Sequence, residues 1–372
     1  MIEPSGYVGG AMAVQGVRDA TVLLHGPKGC RSALLPSLRS LPRKGERPLG
    51  DPHYAGSAGV PHSGVLHSDF AGMTQVRYDA ALSRVAGEGY RLVVPMCSPG
   101  TLVYSDELRC GERVVPLDTE ALGPDAPTGF DRAIRTILEN SGEPRGIVPG
   151  TANILGLSIM HKDWPAVKAE MEHVLSKAGL KVLCAPGAGC TVDELADSLS
   201  AEYCVVVGPE HCVETAAFYE GLGSEIVCTG DSPVGFDAVE ALYGAIEASA
   251  GIKMPGARNM LSMCKRRAYD CIAASGRDMT GASFSVEAAP SVKRPLAEWL
   301  ESSLGMVESD DVPDVLFAPG NRAAQAEASG ECLKGVDMGF PSGSMLSFEK
   351  RPVLGQDGAM HLLEEVFSCR PD

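Results

Sequence analysis

Cys30 and Cys97 are the residues of this 372-residue chain whose placement points most directly to chemistry. Cys30 closes the turn HGPKGC (25–30), which follows the apolar run TVLLH (21–25). Cys97 follows a second apolar run, YRLVVPM (90–96), and opens CSPGTLVYSDEL (97–108). Short apolar runs bounded by Gly and Pro read as buried parallel strands. Ligands of open α/β sheets sit beyond the carboxyl ends of such strands. The two thiols therefore fall on one rim of one sheet, where thiolates bind a metal ion or an iron–sulfur cluster. A single pair cannot complete a four-coordinate site. Either other residues contribute, or a second copy of the chain supplies another pair across a two-fold axis. Within the chain the weaker candidates are Cys110 in ELRCGE, Cys190 in GAGCTVDE and Cys212 in GPEHCVET, beside His211. Cys190 precedes a predicted helix, whose dipole would lower the pKa of its thiol.

Other chemistries are missing from the pattern. The phosphate-loop and dinucleotide fingerprints are absent, so the chain is expected to bind neither ATP nor NAD. It has no C-x-x-C, H-E-x-x-H or G-x-S-x-G. The net charge of −16 argues against a broad nucleic-acid surface, which needs clustered Lys and Arg. No apolar run approaches the ~20 residues that span a bilayer, and the N-terminus does not read as a signal peptide. The expectation is a cytoplasmic protein that binds no nucleic acid and no membrane. Twelve cysteines in that compartment should stay reduced, and a strongly reducing, anaerobic setting suits them.

The positioning elements alternate strand, glycine turn and helix, which means α/β units with mainly parallel sheets. Further strands are expected at 112–117, 152–158, 181–186, 203–208, 225–229, 268–274, 282–288, 314–318 and 336–340. Helices are expected at 164–179, where Val167, Met171, Val174 and Leu175 share a face, and at 191–200, where Thr191 and Glu194 form a capping box. FDAVEALYGAIEAS, AAPSVKRPLAEWLESSLG and QDGAMHLLEEVFS also read as helices. The stretch 40–64 reads as a long loop, and 141–153 and 251–259 read as linkers. Three Rossmann-like units result, at 1–145, 146–252 and 253–372. They share a rhythm but no repeat of fixed period.

With these residues in place, HGPKGC resembles the cysteine turn of the nitrogenase component 1 family. That family includes the molybdenum–iron protein subunits, cofactor scaffold proteins, protochlorophyllide reductase subunits and nickel-sirohydrochlorin reductive cyclase. PMCSPGTLVYSDEL resembles its later cluster cysteine. The segment ANILGLSIMHKDWPAVKAEMEHVLSKAGLKVLCAPGAGCTVDEL resembles the start of its second domain, and PDVLFAPGNRAAQ and RPVLGQDGAMHLLEEVF its closing segments. One departure is informative. Relatives often carry a middle cluster cysteine before a Phe-Gly-Gly segment, whereas VPHSGVLHSDFAGMTQVRYD (60–79) has neither.

The resemblance implies an oxidoreductase that takes low-potential electrons, one at a time, from a separate ATP-hydrolysing iron–sulfur protein. The missing middle cysteine argues against the eight-iron cluster. Instead it implies one [4Fe–4S] cluster between Cys30 and Cys97 of two copies, or of this chain and a paralogous subunit. His25, Gly26, Lys28 and Gly29 would line it, the glycines letting backbone N–H groups approach the sulfides. A small-molecule substrate would lie near Gly187–Cys190 and Gly208–Cys212, with His62, His67 and His211 as candidate proton donors. Two alternatives stay open: a scaffold for metal-cofactor assembly, and a cluster-free binding protein.

Overall fold

Most of the short apolar runs become parallel strands, and glycine turns carry the chain from many of them into a helix. The computed structural model describes residues 4–39, 60–102, 106–309, 311–341 and 349–368. The first part contains α1 (Gly6–Gln15), β1 (Ala20–His25), α2 (Lys28–Arg39), α3 (Thr74–Ala86), β2 (Leu92–Cys97) and α4 (Ala126–Glu139). Next come β3 (Val148–Leu155), α5 (Trp164–Lys177), β4 (Lys181–Cys184), α6 (Val192–Ser198), β5 (Ala201–Val206), α7 (Val213–Leu222), β6 (Glu225–Val227) and α8 (Gly235–Ala250). The last part contains α9 (Pro255–Ser275), β7 (Ser283–Val286), α10 (Pro290–Leu304), β8 (Val307–Glu308), β9 (Val315–Ala318), α11 (Gly320–Ser329), β10 (Lys334–Asp337) and α12 (Gly355–Ser368).

Two sheets of four parallel strands run β4-β3-β5-β6 and β10-β9-β7-β8. The first sheet is the parallel pair β1-β2, widened by backbone bonds on both edges. Residues 61–65 run along β1 (Leu24 N to Pro61 O 3.0 Å, Val65 N to Gly26 O 3.1 Å). Residues 113–117 run along β2 (Val115 N to Val93 O 3.1 Å, Leu117 N to Pro95 O 2.8 Å). Counted in chain order within each sheet, all three read 2-1-3-4. In that order successive connections turn to opposite sides between strands 1 and 3, which opens a crevice at their carboxyl ends. The chain thus has three such crevices, at β1/β2, β3/β5 and β7/β9.

The middle sheet is buried on both faces. Alternation along its strands sends Ala152, Ile154, Val205 and Val207 into one core, shared with the third sheet and α12, and Leu155, Cys204 and Val206 into another, shared with α1 and α4. Helix α1 lies on α4 almost backbone to backbone. A β-carbon on Gly9 would sit 1.9 Å from Ala126 O, and one on Gly129 2.1 Å from Gly6 O.

Helix α5 buries Val167, Met171, Val174 and Leu175 as its periodicity predicts. The α6 capping box closes, with Glu194 N donating to Thr191 Oγ1 at 3.1 Å and Thr191 N to Glu194 Oε2 at 2.8 Å. Three expectations need correction. Residues 268–274 are not a strand but the last turns of α9, whose Pro255 and left-handed Gly276 mark its ends. The 141–153 linker already contains the start of β3 at Val148, and 251–259 the start of α9. The part of the 40–64 loop up to residue 59 lies outside the described residues, while 61–65 is the edge segment along β1.

Candidate functional site

At the β1/β2 crevice, His25 and Cys97 are register partners that end the two strands. Cys30 lies one turn on, in the first turn of α2. The loop after β2 folds over that turn, so that a β-carbon on Gly100 would lie 3.3 Å from Cys30 Sγ. Both thiols are partly exposed. Burial pushes the Cys97 thiol up, and the Asp106 and Asp118 charges add to this, while a hydrogen bond from Thr101 opposes it.

The scaffold beneath the thiols is tightly bonded. His25 is fully buried, with Nε2 2.8 Å from Asp106 Oδ2 and Nδ1 2.9 Å from Ser63 Oγ. Asp106 Oδ1 accepts from Thr74 Oγ1 at 2.8 Å, and Ser63 Oγ accepts from Gly26 N at 2.9 Å. Thr101 Oγ1 donates to His25 O and Thr119 Oγ1 to Cys97 O, both at 2.7 Å. Gly26 is required by space: a β-carbon there would lie 1.9 Å from Ser98 Oγ. Lys28 and Gly29 are exposed, and Gly29 has open space around it. His62, on the edge segment, is held below the usual imidazole range by burial first, then by Arg31, Arg84 and Lys28. His67 is exposed, one residue past Leu66 on the same side of the unit.

These residues fit an iron–sulfur cluster in one respect that sequence reading did not supply. The Tyr7 hydroxyl and Arg31 Nε are both buried without a hydrogen-bond partner among the described residues. Arg31 follows Cys30 in the chain, and Tyr7 is close enough for both Cys30 and Cys97 to act on its phenol. An orphaned phenol donor near two thiols suits an acceptor-rich anionic group such as a cluster with its sulfides. Among the described residues no group of three or more His, Cys, Asp and Glu gathers as a metal site.

The weaker cysteine candidates lie elsewhere. Cys110 is exposed ahead of the 113–117 segment, at the opposite end of the sheet from Cys97. Cys190 is buried beside Val17, and a hydrogen bond from Cys184 holds its thiol down against burial. The loop from Gly187 to Cys190 is filled rather than open, because a β-carbon on Gly187 would lie 2.4 Å from the Phe130 ring. Cys212 is buried, its Sγ 3.5 Å from Gly208 O; burial and the Asp131 charge push its thiol well up.

The β3/β5 crevice is built differently. Gly156, at φ +74°, and Gly208 touch through their backbones: a β-carbon on Gly156 would lie 2.1 Å from Gly208 O. Beyond them the His161 and His211 rings lie 4.7 Å apart. His161 Nδ1 accepts from Ser158 N at 2.9 Å, and burial pushes this ring down to about 4. Burial puts His211 well below its usual range too, and its Nδ1 has no hydrogen-bond partner among the described residues. The loop after β3 meets the loop after β10, with Phe340 N donating to Met160 O at 3.3 Å and Lys162 Nζ to Asp337 O at 2.9 Å. Nearby, a cavity of about 330 Å³ is lined by Pro209, Glu210, Val213, Gly230, Pro290, Ser291 and Arg294.

Sequence reasoning missed Asp106, Tyr7, Arg31 and His161. Asp106 stands in the acidic stretch after Cys97, and His161 follows the glycine that ends β3, so both carried a local signal. Tyr7 carried none, because it lies 23 residues before Cys30 and meets it only through the fold.

No helix among the described residues is long and apolar enough to cross a membrane. No curated protein matches the sequence. The solved structure of nitrogenase Cp1 at pH 6.5 is similar over 99% of this chain and 93% of that one, with TM-score 0.77 and 14% identity. Nitrogenase Cp1 at pH 5 gives TM-score 0.74 and 14% identity over 99% and 88%. The fold is thus that of nitrogenase component 1. The profile of the family described as nitrogenase component 1 type oxidoreductase matches residues 103–309, more than half of the chain, beginning just beyond Cys97. The chain belongs to the nitrogenase component 1 type oxidoreductases.

Proposed function

We propose that this chain is the substrate-reducing component of a two-component, nitrogenase-like reductase. A separate ATP-hydrolysing iron–sulfur protein supplies its electrons. The observation that carries the reading is the pairing of Cys30 and Cys97 at one crevice, partly exposed and near the orphaned Tyr7 hydroxyl. Together with the same pair from a second copy, or from a paralogous subunit, they would hold a [4Fe–4S] cluster. When bound, that cluster supplies one-electron transfer at low potential. Leu66, Met73 and Val76, exposed beside this crevice on 66 and on α3 with its N-cap, offer the apolar surface such a subunit contact needs.

The chain's own residues have distinct tasks. Asp106 and Ser63 fix His25, and through the Gly26 turn they fix the approach of Cys30. The small-molecule substrate would be held near the β3/β5 crevice, where the cavity beside Glu210 and Arg294 supports this placement. Burial holds His62 below the usual imidazole range and His211 well below it, so both rest as neutral rings and neither is a standing acid.

The test is anaerobic purification with iron and sulfide analysis and EPR. About four iron ions per two chains, a reduced [4Fe–4S] signal and loss of both in Cys30→Ala are expected. A colourless wild-type protein without iron or sulfide would overturn the reading in favour of a binding protein on this fold. A cluster that forms but accepts no electrons from any iron protein would favour an assembly scaffold.

A further inference from the structure

Tyr7 is more than nine-tenths buried, yet its hydroxyl has no hydrogen-bond partner among the described residues. A buried phenol without an acceptor costs about 1–3 kcal/mol, so such a group calls for an explanation. Its position gives one. Helix α1 runs antiparallel to β1 and is ~15 Å long, against ~20 Å for the six residues of β1. Its first turn therefore returns to the level of His25, at the carboxyl end of the sheet. Gly6 is held there by close approach to Leu122 and Gly123, where a β-carbon would lie 2.5 and 2.3 Å from their carbonyl oxygens. Those residues follow Thr119, which bonds the Cys97 carbonyl at 2.7 Å. The phenol thus lies at the carboxyl end of the sheet, near enough to Cys30 and Cys97 for their charges to act on it. Burial raises its pKa well above the ordinary value, and the charges of Cys30 and Cys97 raise it further, so the hydroxyl keeps its proton at any working pH.

We propose that Tyr7 is a potential-setting residue, whose O–H donates a hydrogen bond to a sulfur of the centre held by Cys30 and Cys97. This rests on the cluster reading above and adds a residue to it. A hydrogen bond to cluster or ligand sulfur offsets negative charge, which favours the reduced state more than the oxidised one. Phe at this position would fill the same space and remove only the donor. Tyr7 is a positioning and tuning group, since no chemistry at the substrate depends on its proton.

The test compares wild type, Tyr7→Phe and a protein with 3,5-difluorotyrosine at position 7, all isolated without oxygen and titrated redox-potentiometrically by EPR. Tyr7→Phe should keep its iron content and thermal midpoint but show a reduction equilibrium about five- to tenfold less favourable, read as a more negative potential. The fluorinated ring, a stronger donor of nearly the same shape, should shift the potential the other way. ENDOR on the reduced wild-type cluster should show a proton that exchanges in D₂O and is missing in Tyr7→Phe. Equal potentials in all three proteins, or an ENDOR signal unaffected by Tyr7→Phe, would overturn the proposal and leave the cluster reading standing. Wild-type protein without iron would overturn both.

Discussion

The β1/β2 and β3/β5 crevices have the same topology and opposite contents. Both open between strands 1 and 3 of a 2-1-3-4 sheet. The first holds partly exposed thiols beside a buried His–Asp pair, with the orphaned Tyr7 phenol near them. The second is closed at its base by two touching glycines and carries two neighbouring imidazoles, tilted 54° to each other, that burial keeps uncharged. Strand order decides where a site can be, whereas the residues at the turns decide what chemistry that site can offer. The β7/β9 crevice has the same place in its sheet but neither thiol nor imidazole at its strand ends, with Glu287 paired to Arg322 instead.

The sharpest way to break this contrast is to exchange thiols. Cys30→Ala or Cys97→Ala is expected to remove essentially all bound iron, whereas Cys212→Ala and Cys184→Ala leave it, as iron and sulfide assays would read. Equal loss from both pairs would erase the distinction. Next in size is Gly156→Ala, which meets the Gly208 carbonyl in a left-handed conformation and should cost about 4 kcal/mol in denaturant unfolding.

The imidazoles should reveal themselves through pH. The folded-state pKa of His161 is about 4, against 6.5 ordinarily. The unfolded chain therefore binds the extra proton between these values. Stability contributed by the neutral ring is complete above pH 6.5 and is lost as pH falls toward 4, by up to about 3 kcal/mol. His161→Asn, whose Oδ1 takes the place of Nδ1 as acceptor for Ser158 N, should flatten that slope. At the thiol crevice, Asp106→Asn should cost about 2 kcal/mol by leaving His25 with a poorer buried partner. Smallest is Gly29→Ala, which points into open space and should stay within about 0.5 kcal/mol of wild type.

Much of this was legible in the sequence. The strands at 21–25 and 314–318 and the helix at 164–179 follow from periodicity, and the Thr191–Glu194 cap follows from two residues. Their signals are local, and tertiary packing agrees with them. The stretch 268–274 misled because AYDCIAA is apolar enough for a buried strand, and only the Pro and Gly 21 residues apart mark it as part of one helix. At the site, His25 and Cys97 were legible because each stands at the end of an apolar run, and Cys30 because it closes the glycine turn after His25. Tyr7 and Arg31 were not, since their meaning lies in a missing partner, and that depends on distances between elements.

The bare contact between α1 and α4 has a consequence for how this protein tolerates change. Where Gly6, Gly9 and Gly129 meet backbone oxygen about 2 Å from any added β-carbon, the constraint is an empty volume that must stay empty. A buried leucine can be exchanged for another aliphatic residue and the core can reshape around it, but an absent methyl group has no substitute. In a saturation mutagenesis screen, the least forgiving columns should fall on these small residues rather than on the largest side chains of the core. A sequence can then drift far in what it adds while the fold is policed by what it leaves out.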